Sequence, residues 1–76
     1  MNALITFFNS LLKLMEQHQG EAGFRIREGF YFQAFGAVTY EAYKAIEKGQ
    51  PSLQCEAERL WEEEWRDKFE KALWGE

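Results

Sequence analysis

The stretch FRIREGFYFQAFGAVTYEAYKAIEK, residues 24–48, decides the fold, and it reads in two ways. From Tyr31 onward, Gln33, Gly36, Glu41, Lys44 and Lys48 recur near a helical period, and Phe32, Phe35, Thr39, Ala42, Tyr43 and Ile46 lie opposite. That pattern predicts one helix over about 30–48, stopped by Gly49, with Lys48 set against the negative end of its dipole. Against it, the run Phe30 to Phe35 is rich in strand formers. Glu28–Gly29 would serve as a hairpin turn after an alternating Phe24 and Ile26, and Thr39 would then cap a shorter helix, Tyr40 to Lys48. The first reading makes the chain an all-α, three-helix arrangement. The second makes it α+β, with a small hairpin at about 24–35. The helix is the favoured reading.

The flanking segments are plainer. Before it, Leu4, Phe8, Leu11, Met15 and His18 recur at steps of four and three, with Thr6, Asn9, Ser10, Lys13, Glu16 and Gln17 on the other side. This predicts a helix over about 2–19, capped by Asn2 and ended by Gly20. After it, Pro51 and Ser52 suit a helix start. Leu53, Ala57, Trp61, Trp65, Phe69 and Leu73 then run at steps of four, widened by Leu60 and Ala72, which predicts a helix over about 52–74. Its opposite face pairs Glu62 with Arg66, Glu64 with Lys68 and Asp67 with Lys71, each acid four residues before its base. The short Gly49–Gln50–Pro51 connection makes the second and third helices antiparallel.

Seventy-six residues allow one small domain, 1–76, which hides only about 60% of its unfolded surface. Thirteen aromatic residues are a large apolar load for so thin a core, so some of it is expected to meet a partner. The net charge of -4 arises wholly after residue 50, where eight acids outnumber four bases. An acidic surface of this kind argues against direct nucleic-acid binding. The lone Cys55 excludes an internal disulfide and suits a reducing, cytoplasmic setting. The apolar start is broken by Asn9, Ser10 and Lys13, too short and too polar to span a membrane.

No side chains converge on a chemistry. Glu62, Glu63 and Glu64 diverge by about 100° each on a helix and read as a solvated face. His18 reads as a half-buried side chain at a helix end, and Cys55 as a small packed hydrophobe. Arg25 and Arg27 read as surface ion-pairing residues in a connecting segment beside Glu21 and Glu28. No catalytic, cofactor-binding or metal-ligating residue is nominated.

The expected function is an acidic protein–protein interaction module without catalytic activity, self-associating as a homodimer or binding another protein. Partner-binding candidates are Trp74, which falls on the charged side of its helix, and the Trp61–Trp65 stripe, although aromatic stripes usually form core. The alternative is an acidic inhibitor or nucleic-acid mimic of the phage or mobile-element type. It would offer Glu56, Glu63, Asp67 and Glu70 to a basic groove of a nucleic-acid-processing protein.

Overall fold

The computed structural model describes residues 3–49 and 55–75. Three helices form an all-α arrangement, with no strand among the described residues. Helix α1 is Ala3–Gln17 and α2 is Gly23–Glu47. Helix α3 runs over residues 56–74 as Glu56–Leu60, a wider π turn Trp61–Trp65, and Arg66–Trp74. The expected caps at Asn2, Pro51 and Ser52 lie outside the described residues.

Helix α2 is longer than the sequence suggested. It begins at Gly23 rather than near residue 30, so the hairpin alternative at 24–35 does not occur. Thr39 caps nothing; it sits inside the helix and its Oγ1 donates to the carbonyl of Phe35 at 3.0 Å. The strand-forming aromatics are overruled because α2 lies against both other helices, and tertiary packing outweighs local propensity.

The core centres on Phe8 of α1, which is wholly buried. Its ring centroid lies 5.8 Å from Trp61, 5.3 Å from Trp65 and 5.6 Å from Phe69. Leu11 and Met15 continue the buried side of α1. Against these large side chains α2 brings small ones, Ala34, Val38 and Ala42, all buried. This corrects the apolar face read from the sequence. Phe32, Tyr43 and Ile46 do not face the core, and half-exposed Phe35 meets only Trp61 of it, at 6.2 Å between ring centroids; the bulk supplied by α1 and α3 leaves room only for a close approach by α2.

The π turn follows from the spacing of α3. An interval of four exceeds one α-helical turn by about 40°, so a stripe spaced strictly by four precesses around the helix. Ala57, Trp61, Trp65, Phe69 and Leu73 are nevertheless all buried. The wider turn at Trp61–Trp65 takes up the precession. The predicted ion pairs form on the outer side: Glu62–Arg66 at 3.0 Å, Glu64–Lys68 at 3.0 Å and Asp67–Lys71 at 3.2 Å.

The three helices are tied at one end by Arg27, which is 4% exposed. Its Nε donates to the carbonyl of Leu73 at 3.1 Å, and a terminal nitrogen donates to the carbonyl of His18. Both acceptors lie at helix C-terminal ends, where carbonyls lack intrahelical donors and the dipole is negative. The expectation of a surface ion pair at Arg27 is therefore overturned. Gly23 makes this closure feasible: a Cβ there would lie 1.9 Å from the His18 carbonyl oxygen.

Candidate interaction surface

Most of the exposed large apolar side chains among the described residues lie on α2, away from its buried side. The outward side carries Phe32, Tyr40 and Tyr43 at 62%, 61% and 59% exposure, with Ile26, Phe35 and Ile46 along its margins. At about 100° per residue, Arg25, Gly29, Phe32, Gly36, Tyr40, Tyr43 and Glu47 all fall within about 40° of the direction pointing away from Ala34 and Val38. Gly29 and Gly36 leave notches in this stripe, with open space where a side chain would stand. Neighbours brace its rings. Tyr31 meets Phe32 edge-on at 5.8 Å between centroids, and the Lys44 ammonium sits 5.2 Å from the centre of the Tyr40 ring.

Beneath this face, Tyr31 turns inward to an edge contact with Trp61 at 5.7 Å. Burial pushes its phenol above the ordinary value, and the charge of Glu70 pushes it further the same way.

The residues singled out from the sequence lie elsewhere. Trp61 and Trp65 are 3% exposed and belong to the core, not to a partner-facing surface. Trp74 is exposed, but its ring packs against Phe24 at 5.3 Å, over the end closed by Arg27. Glu56, Glu63 and Asp67 are exposed and Glu70 is half-buried. Asp67 and Glu70 are held by Lys71 and Arg66. His18 is half-buried, 6.2 Å from the Phe30 ring, and Cys55 is partly buried against the core.

Open clefts lie beside α2 among the described residues. One, of about 530 Å³, lies among Leu4, Phe7, Ala37, Lys44, Cys55 and Ala57. Another, of about 660 Å³, lies between α2 and α3, with Phe35, Val38 and Ala42 facing Arg59, Trp61 and Glu63. Among the described residues no cluster of His, Cys, Asp and Glu could hold a metal ion, and no helix is long and apolar enough to cross a membrane.

Comparison with protein-family models, curated proteins and solved structures finds no match.

The sequence pattern misses the apolar face of α2, because it places Phe32, Phe35 and Tyr43 on the inward side. A signal was present: Ala34, Val38 and Ala42 also recur at steps of four, and small residues mark where a helix approaches its neighbours most closely.

Proposed function

We propose that the chain is a protein–protein interaction module without catalytic activity, and that its binding surface is the outward face of α2. The observation that carries this reading is the row of Phe32, Tyr40 and Tyr43, exposed on one side of one helix. Contiguous apolar surface of this kind mostly marks a protein or ligand contact. Aromatic residues on a rigid helix are effective anchors, because they bury much area at little cost in side-chain freedom. The acidic-mimic alternative has less support. Arg66, Lys68 and Lys71 alternate with the carboxylates of α3 and pair with Glu62, Glu64, Asp67 and Glu70, which divides the negative potential.

Site-specific photo-crosslinking tests the reading. A benzophenone amino acid replaces Phe32 or Tyr40 in the full chain, with Glu64 on the charged face of α3 as control. Discrete protein adducts from the α2 positions and none from the control support the module. Adducts from Glu64 alone would favour the acidic face instead.

A further inference from the structure

Resting on that reading, we propose that the occupant of the α2 face is a second copy of the chain, docked antiparallel, helix against helix, about a two-fold axis beside Gly36.

The stripe reads the same in both directions. Its intervals are four, three, four, then four, three, four, with Gly36 at the centre. Arg25 and Glu47 lie eleven residues either side of that centre. Eleven residues span close to three whole turns, so the stripe runs almost straight along the helix. A second α2 laid antiparallel brings positions equidistant from Gly36 to one level. Arg25 then meets the partner's Glu47, and Glu47 meets the partner's Arg25. Gly29 receives the partner's Tyr43, large into small, at both ends. Phe32 and the partner's Tyr40 flank the middle, and Gly36 faces its own copy, where the missing side chains let the backbones approach. An isologous contact requires this kind of self-complementarity.

Charge decides the direction. A parallel pair would set Arg25 against Arg25 and Glu47 against Glu47. The antiparallel pair sets opposite signs together at both ends. The area is adequate as well. The stripe from Arg25 to Glu47 is about 33 Å long at 1.5 Å per residue. Six half-exposed aromatic rings offer on the order of 600 Å². With Ile26, Ile46 and the stems of Arg25 and Glu47 the total reaches the order of 1,200 Å², the lower range of specific interfaces.

Sedimentation equilibrium on the full chain tests this. The wild type is expected to dimerise reversibly. Gly36→Glu sets two like charges together on the axis and should yield monomer. The helical signal should persist, because open space surrounds that position. Arg25→Glu should weaken the dimer about tenfold, and adding Glu47→Arg should restore it. A dimer indifferent to Gly36→Glu and to both charge reversals overturns the proposal. So does a wild type that stays monomeric at high concentration. If Phe32 and Tyr40 then still crosslink to a different protein, the interaction module stands and only the second copy is lost. If they crosslink to nothing, both readings fall.

Discussion

The Nε of Arg27 in the second helix donates to the backbone carbonyl of Leu73 in the third, 3.1 Å away across 46 positions of sequence. Among the described residues no carboxylate lies within ion-pair distance of this buried guanidinium, so helix-end carbonyls balance its charge. Arg27→Ala should cost about 3–5 kcal/mol, because it strands the carbonyls of His18 and Leu73. Arg27→Lys should cost about 2 kcal/mol, since an ammonium lacks the planar fork that reaches both acceptors. Urea titration of both variants measures the difference.

Two glycines in the same helix should respond oppositely to alanine. Gly23→Ala drives a methyl into the His18 carbonyl and should cost 3 kcal/mol or about that much. Gly29→Ala meets nothing and should stabilise the fold by about 0.5–1 kcal/mol. Thermal unfolding at concentrations low enough to keep the chain monomeric gives the signs, since Gly29 also forms the notch for the partner's Tyr43.

Gln33→Pro tests the continuity of α2. Position 33 is ten residues inside the helix, where proline removes a hydrogen bond and clashes with the preceding turn, at a cost of about 3 kcal/mol. A variant with unchanged circular dichroism and midpoint would mean that the helix is broken there already.

These tests separate what the sequence discloses from what it conceals. Periodicity sufficed for α1 and α3, whose apolar sides carry bulky residues, and local spacing sufficed for the ion pairs of α3. It found the body of α2 over 30–48 but not its buried side, where Phe32, Tyr40 and Tyr43 point outward and Ala34, Val38 and Ala42 inward. Which side of a helix is buried depends on the volumes facing it, and Phe8, Trp61 and Trp65 come from other parts of the chain. Arg27 was hidden for a related reason. A basic residue beside Glu28 suggests solvent, and only the convergence of two helix ends reveals the buried acceptors.

The wider turn of α3 should tolerate a deletion that its flanks do not. Removing Glu63 converts the turn to regular helix and leaves Trp61, Trp65 and Phe69 on one side. Removing Lys68 turns Phe69 and everything after it by about 100° away from the core. Cooperative unfolding is expected for the first deletion and lost in the second.

Tyr31 gives a pH signature. Its folded-state ionisation lies above the unfolded value of about 10, mainly through burial. Its contribution to stability is therefore fully present below pH about 10 and is lost as pH rises through the folded value. Tyrosinate absorbance of the wild type minus Tyr31→Phe isolates this titration. Its midpoint should fall when the chain is unfolded in urea.

The tie between Arg27 and Leu73 also makes the first two helices incomplete without the third. In a fragment that stops after α2, Arg27 keeps its acceptors at His18 and Gly20 but loses the one at Leu73. Phe8 likewise loses Trp61, Trp65 and Phe69. Such a fragment would expose a guanidinium and the Phe8 side of α1 that the three helices together conceal. Capture by a chaperone should therefore be strong for fragments cut before α3 and drop abruptly once α3 is included, rather than decline in step with chain length.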